Sequence, residues 1–357
     1  MTARADRLAA RLPGLGADLI LVSSLVNVRY LTGYTGSNGL ALIGPDTRLF
    51  LTDFRYIEQA AAEVGEAFDR RIVSQELIDA VAELVGEGER RLAFEDAHLS
   101  VRMHARLRDT LPERVALVAG GDSVEELRLV KEPDELERIE QACELADAAL
   151  RQIMEQGLVG RTELAVATAL TRAMIDLGAQ RPSFDPIVAA GSHGALPHAE
   201  PRDVEIGSDQ LVVIDWGAQL DGYCSDCTRT LATGEPGDDA RAAYELVREA
   251  QVAGLGAVRD GISGRDADAV ARAVIDDAGH AEHFGHGLGH GVGLEIHEAP
   301  RLSKRSESML ATGQVVTVEP GVYLPGRFGV RIEDLAIVTE DGTRVLTSVP
   351  KDLIAVS

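Results

Sequence analysis

Four carboxylate residues in the second half of the sequence are spaced so that two predicted β-hairpins would each hold a pair. Asp215 and Asp226 are symmetric about a glycine-containing turn, and Glu319 and Glu333 are symmetric about Gly326. A regular antiparallel pairing would place the two acids of each hairpin opposite each other on one face, with Cβ atoms roughly 5 Å apart. Because like charges facing each other on buried strands are destabilising, this arrangement favours a shared divalent cation.

A single pair of this kind is equally compatible with acids solvated at strand ends or paired with Arg229 and Arg331. Two pairs in one domain favour a metal site, and seven of the nine histidines lie in the same region, residues 193–297. His290 closes the glycine-rich motif GHGLGH (285–290), whose glycines permit close backbone approach to a ligand. Four carboxylates and one imidazole suit a two-metal site for Mn²⁺, Co²⁺, Fe²⁺ or Zn²⁺.

The elements that must position these residues follow a plan that is repeated once. Apolar periodicity predicts two pairs of helices, each followed by a pair of strands. The first set comprises helices 134–156 and 162–178 with strands 209–217 and 223–231. The second comprises helices 238–259 and 264–279 with strands 314–323 and 329–339. The order predicts an α+β domain with a pseudo-twofold repeat.

The preceding part of the chain alternates apolar strands with helical patterns and predicts a separate α/β domain. Strands are expected near 18–23, 39–43 and 48–52. We therefore divide the chain into a first domain at 1–122, a linker at 123–131 and a second domain at 132–357.

Composition excludes several classes of protein. The 357 residues carry 58 acidic and 35 basic side chains, a formal net charge of −23, which argues against nucleic acid as the main partner. No apolar run approaches the roughly 20 residues that would span a membrane. Three cysteines cannot all pair internally, so a disulfide scaffold is excluded and the cytoplasm is the expected location.

Taken together, the motifs resemble those of the pita-bread metallopeptidases, a superfamily that includes methionine aminopeptidase, aminopeptidase P, prolidase and the metal-free creatinase. The resemblance covers about 130–349 and rests on VIDWGA (213–218), CSDCTRT (224–230), GHGLGH (285–290), VEPG (318–321) and RIED (331–334). The residues before it resemble the amino-terminal domain of the proline-specific branch and of creatinase.

The resemblance implies roles for individual residues. Two metal ions, manganese being expected first, would be held by Asp215, Asp226, His290, Glu319 and Glu333, and a bridging hydroxide would attack the peptide bond. Glu319 would also shuttle the proton from water to the leaving nitrogen. His198 and His297 match the substrate-contacting histidines of the proline-specific branch, and His286 is assigned to the substrate site. Arg331 would orient Asp215.

Within this superfamily several activities stay open. We expect a Xaa-Pro aminopeptidase that acts on short peptides as a homodimer, because the signature NVRYLTGYTGSNG (27–39) looks like that of short bacterial aminopeptidases P. Tyr30 in this segment is predicted to lie on a loop that covers a catalytic site, its own or the partner's. Arg301 would anchor a free carboxylate in the alternative, a Xaa-Pro dipeptidase. A creatinase-like hydrolase without metal and an inactive binding module are more distant alternatives, because all five ligand positions are intact.

Overall fold

The structure, a computed structural model, describes residues 2–357 and divides into two compact units. The first extends to Arg128, and the second runs from Leu129 to Ser357. The division lies within the segment predicted as a linker, 123–131, although Glu125–Arg128 in that segment is helical. Among the described residues, none of the helices is long and apolar enough to cross a membrane.

The first unit is built on a mixed sheet with the strand order β4-β3-β2-β1-β5-β6. Its strands are β1 Leu19–Val22, β2 Leu40–Gly44, β3 Thr47–Thr52, β4 Asp69–Ile72, β5 Arg90–Phe94 and β6 Val115–Ala119. Its helices are α1 Thr2–Leu15, α2 Leu25–Thr32, α3 Ile57–Glu63, α4 Leu77–Leu84, α5 Val101–Thr110 and α6 Glu125–Arg128, with a 3₁₀ turn at Phe54–Tyr56. β1 and β2 are buried along their whole length, as their continuous apolar sequences require.

The segment containing Tyr30 is not an exposed loop at that residue. Tyr30 lies on α2, which ends where Gly33 adopts the left-handed conformation at φ 86°. The Tyr30 ring is 1% exposed, the Arg4 guanidinium stacks 4.4 Å from its centre, and its hydroxyl donates to the Leu127 carbonyl at 2.9 Å. Substrate contact through this side chain, predicted from the sequence, is therefore corrected to a packing role inside the first unit.

The second unit begins with the first set of helices and strands. Its elements are α7 Pro133–Gln156, α8 Glu163–Asp176, β7 Arg181–Pro182, β8 Ile187–Ala190, a 3₁₀ turn at Gly191–Ala195, β9 Leu211–Trp216, β10 Ala218–Leu220, β11 Tyr223–Cys224 and β12 Cys227–Ala232. Strand orders are β12-β9-β8 and β11-β10-β7. α7 starts with Pro133 inside a capping box made by Glu132 and Glu135, and it ends at Gly157.

The second set follows the same order. Its elements are α9 Asp238–Ala257, α10 Gly264–Asp277, a 3₁₀ turn at Ala281–His283, β13 Gly289–Gly291, β14 Glu298–Leu302, β15 Val315–Val318, β16 Gly321–Leu324, β17 Phe328–Arg331, β18 Asp334–Val338 and β19 Thr343–Val345. The sheet order is β14-β13-β15-β18-β19, and β16 pairs with β17. The predicted sequence of two helices and a strand pair, repeated once, is confirmed.

Candidate metal centre

The first hairpin brings Asp215 and Asp226 to one face by a register that differs from the predicted one. In the pairing of β9 with β12, Asp215 lies opposite Thr228 instead of Asp226, so the predicted direct pairing is wrong by two residues. Because side chains alternate along a strand, a shift of two residues keeps both acids on the same face. Asp226 lies between β11 and β12, where Gly217 allows the Ser225 carbonyl to approach closely: a Cβ at Gly217 would be 2.0 Å from that oxygen.

The second hairpin has the predicted register. β15 pairs with β18 so that Val318 lies opposite Asp334, and the next pair in this register is Glu319 with Glu333. β16 and β17 continue the same register beyond Pro320, with Gly321 opposite Arg331. Glu319 and Glu333 therefore face each other where both strands are interrupted.

The two hairpins place their acids in one cluster with His290. One carboxylate oxygen from each of Asp215, Asp226 and Glu333 lies within 4.8 Å of the other two. The Nε2 atom of His290 is 3.3 Å from Glu319 Oε1 and 3.6 Å from Asp226 Oδ2. Because the His290 Nδ1–H donates to the Gly291 carbonyl at 3.0 Å, the Nε2 lone pair is directed toward the carboxylates.

The electrostatics of this cluster fit a divalent cation. Burial, and then the neighbouring charges of Glu333 and Asp215, raise the pKa of Asp226 well above its ordinary value. Burial raises the pKa of Glu319 to about 7 and lowers that of His290 to about 3, which keeps the imidazole neutral. Among the described residues, the buried atoms Asp215 Oδ1 and Glu333 Oε1 have no hydrogen-bond partner. A cation would bind both oxygens and relieve the repulsion between the carboxylates.

Further polar side chains hold the carboxylates in place. The Arg331 guanidinium donates to Asp215 Oδ2 at 2.6 Å and to the Thr228 hydroxyl at 2.9 Å, and Thr228 in turn donates to Glu333 Oε2 at 2.7 Å. The Thr317 hydroxyl donates to Glu319 Oε1 at 3.0 Å. One oxygen of each of these three carboxylates is thus engaged by protein.

The two threonines were not predicted from the sequence. Each lies two residues from a carboxylate just beyond the end of its own strand, Thr228 after Asp226 and Thr317 before Glu319, so the alternation of side chains in extended backbone puts both on the face of the cluster. This alternation could have identified both threonines from the sequence.

A cavity of about 630 Å³ opens over the cluster and contains the substrate histidines predicted from the sequence. His198 and His297 both line it and are exposed, and the His297 ring lies 4.5 Å from that of His290. Arg301 lies opposite His290 in the pairing of β14 with β13, is exposed, and lines the same cavity. The structure thus brings together the predicted metal ligands, both histidines and Arg301.

His286 also lines the cavity, but both of its ring nitrogens have protein partners. Nδ1–H donates to the Gly287 carbonyl at 2.8 Å, and Nε2 accepts from the Tyr323 hydroxyl at 3.0 Å. Tyr323 in turn accepts from Arg331 Nη1 at 2.9 Å. With both ring nitrogens bonded to protein groups, the predicted role of His286 in binding substrate stays a prediction. No sequence signal marked Tyr323 as part of this chain of hydrogen bonds.

Comparison with known proteins finds a matching family for each of the two parts of the chain. Residues 137–340 match metallopeptidase family M24, and residues 4–130 match the creatinase/prolidase N-terminal domain. An uncharacterized peptidase of Bacillus subtilis is 44% identical over 341 residues, which cover 95% of this chain and 96% of the relative.

Two solved structures are similar over nearly the whole chain. A Xaa-Pro dipeptidase from Bacillus anthracis is 39% identical with a TM-score of 0.96, and the match covers 99% of each chain. An X-Pro aminopeptidase from Thermotoga maritima is 36% identical with a TM-score of 0.90, covering 96% of this chain and 99% of the other.

Proposed function

The chain belongs to metallopeptidase family M24, and we propose that it hydrolyses the peptide bond between an amino-terminal residue and a following proline. The predicted fold class, a creatinase-like α/β domain followed by an α+β pita-bread domain, is confirmed. The observation that carries the proposal is the cavity itself. His198 and His297 line it together with the carboxylates of the cluster and the neutral imidazole of His290. Solved structures with the names Xaa-Pro dipeptidase and X-Pro aminopeptidase support the substrate class.

Five residues would hold the metal, namely Asp215, Asp226, His290, Glu319 and Glu333. When bound, divalent cations would polarise the substrate carbonyl and lower the pKa of water, so that a hydroxide nucleophile is available near neutral pH. Two ions per chain, with manganese ahead of cobalt, zinc and iron, are the expected complement for carboxylate ligands with one imidazole.

The chain's own side chains carry the proton and orient the substrate. Glu319 would take the proton of the attacking water and deliver it to the proline nitrogen, a role that its position at the floor of the cavity supports. His198 and His297 would donate hydrogen bonds to the substrate carbonyl as charge develops on its oxygen. Burial raises the pKa of Asp215, and Arg331 would oppose that rise and hold the carboxylate in place through the bond at 2.6 Å.

Replacing His198 or His297 by alanine is expected to lower kcat on a Xaa-Pro dipeptide by about 10²-fold, the usual scale for a lost transition-state donor. Metal content should stay unchanged because neither ring is needed to bind an ion. Steady-state kinetics with metal analysis of each variant provides the measurement, and His283→Ala, which removes a histidine outside the cavity, is the control. Loss of metal in step with activity would show that the histidines are ligands instead.

The length of the preferred substrate depends on Arg301. A dipeptide presents the free carboxylate of its proline, and an exposed guanidinium on the cavity wall can bind that group with paired hydrogen bonds. In a longer peptide this carboxylate is replaced by the next peptide bond. The expectation of an aminopeptidase depends on the segment around Tyr30, whose ring is buried. Arg301 instead favours the second candidate function, that of a dipeptidase.

Assays of Ala-Pro against Ala-Pro-Ala, with wild type and Arg301→Ala, test the proposed function and separate the two candidates. For a dipeptidase, Arg301→Ala should raise KM for Ala-Pro by about tenfold or more, the scale of a lost hydrogen bond to a charged group, and change the tripeptide little. Arg305→Ala, also exposed but outside the cavity, should change neither. Hydrolysis of neither peptide by the metal-loaded wild type would contradict Xaa-Pro specificity.

Other expectations from the resemblance stay predictions, namely homodimer formation and a cytoplasmic location. Cys143, Cys224 and Cys227 are free and buried thiols.

A further inference from the structure

The loop that carries His198 is fixed beneath its exposed part. We define the His198 loop as residues 190–202, from the end of β8 to Arg202. His198 itself is exposed, as a substrate contact must be, so its own side chain does little to hold it in place. The position of the imidazole must therefore come from contacts made elsewhere in the loop.

One buried carboxylate contacts both ends of this loop. Glu163 is the first residue of α8, and its side chain is 0% exposed. At one end of the loop it accepts from the Ala190 backbone N–H at 2.9 Å and lies 2.9 Å from His193 Nδ1. At the other end it accepts from the Arg202 backbone N–H at 3.0 Å and from the Arg202 guanidinium at 3.1 Å.

This carboxylate stays ionised in spite of its burial. Burial by itself would raise the pKa of Glu163, but hydrogen bonds from Arg202, from the Ala190 N–H and from His193 together lower it. A buried charge with that many donors is strongly held, and removing it would leave the donors unsatisfied. The contacts therefore tie α8 firmly to both ends of the loop.

A third contact connects the middle of the loop to the metal centre. The Arg331 guanidinium donates to the carbonyl of Pro197, the residue before His198, at 3.1 Å. The other amino group of Arg331 contacts Asp215. With its two ends fixed by Glu163 and its middle fixed by Arg331, the loop has little freedom to move His198 relative to the carboxylates.

We propose that Glu163 is a positioning residue for the reaction, which fixes both ends of the His198 loop and thereby places the His198 imidazole over the metal centre. The proposal rests on the proposed function for the role of His198. It requires that Glu163 act through the loop rather than on the stability of the whole domain. A misplacement of about 1 Å costs up to about 10²-fold in rate, so the effect is large enough to measure.

Hydrogen–deuterium exchange tests the structural half of the proposal without reference to activity. In Glu163→Gln and Glu163→Ala, the backbone amides of residues 190–202 should exchange faster than in wild type, while those of β15 and β18 stay protected. Asp176→Asn is the matched control, since it removes an acid from the exposed end of the same helix. Unchanged exchange in the loop, or equally faster exchange throughout the second unit, would overturn the proposal.

A double-mutant cycle tests the functional half. If Glu163 acts through His198, Glu163→Gln should lower kcat/KM for Ala-Pro by about tenfold or more in wild type and by less than about twofold in His198→Ala. Equal losses in the two backgrounds would overturn the proposal. Absence of Xaa-Pro hydrolysis in wild type would contradict the proposed function instead, and the exchange measurement would still decide whether Glu163 fixes the loop.

Discussion

Exhaustive chelation of the purified protein is expected to abolish hydrolysis of Ala-Pro, and addition of Mn²⁺ is expected to restore it. The active protein should contain two divalent ions per chain. The reason is the cluster of Asp215, Asp226 and Glu333, whose oxygens lie within 4.8 Å of one another and whose charges repel when no cation is present. At a free metal concentration of 100 times Kd, binding stabilises the folded state by about 2.7 kcal/mol per site, so the melting temperature should also fall on chelation.

Two variants test whether the effect of chelation comes from metal bound at this cluster. Asp226→Asn should bind less metal, and its melting temperature should respond less to chelation than that of wild type. Glu340→Gln, which removes an exposed carboxylate beyond the end of β18, should behave as wild type. Activity that persists when metal analysis returns no ions would contradict the prediction and would favour the metal-free alternative related to creatinase.

Glu319→Gln is expected to lower kcat by about 10³-fold or more, because it removes the proton acceptor together with a ligand charge. The amide keeps the shape of the side chain and can still accept from the Thr317 hydroxyl, so the fold should persist. Without metal this variant should be more stable than wild type, since one of the repelling carboxylates has gone. Single-turnover kinetics at saturating metal and denaturant unfolding of the metal-free proteins measure the two effects.

The two effects together distinguish a catalytic role from a structural one. Replacing a residue that only supported the fold would lower both the activity and the stability of the protein. Glu319→Gln should instead lower the activity and raise the stability of the metal-free protein. A loss of kcat smaller than about tenfold at full metal content would contradict the assignment of Glu319 as proton shuttle. Thr317→Val, which removes the hydroxyl that donates to Glu319, should give an intermediate loss.

Features that depend on neighbouring residues were predicted well from the sequence. A hairpin joins residues that are close in the chain, so counting from the turn predicts which residues meet. This succeeded for Glu319 and Glu333, whose register is the predicted one. For Asp215 and Asp226 the count was wrong by two residues, yet the shared face was right because alternation has a period of two. The spacing of apolar residues along a helix also depends only on residues close in the chain, and both helix pairs of the second unit lie where this spacing predicted them.

Only the tertiary structure decided the contacts between residues that are far apart in the chain. Thr228 and Glu333 are 105 positions apart, and Glu163 is 39 positions from Arg202. No local pattern encodes such pairs, because they depend on how separate hairpins and helices pack. Burial is decided in the same way: the sequence around Tyr30 suggested an exposed contact loop, but packing against Arg4 placed the ring inside the first unit. Local periodicity and turn spacing predicted which residue types gather at the metal centre, whereas non-local packing decided what orients them.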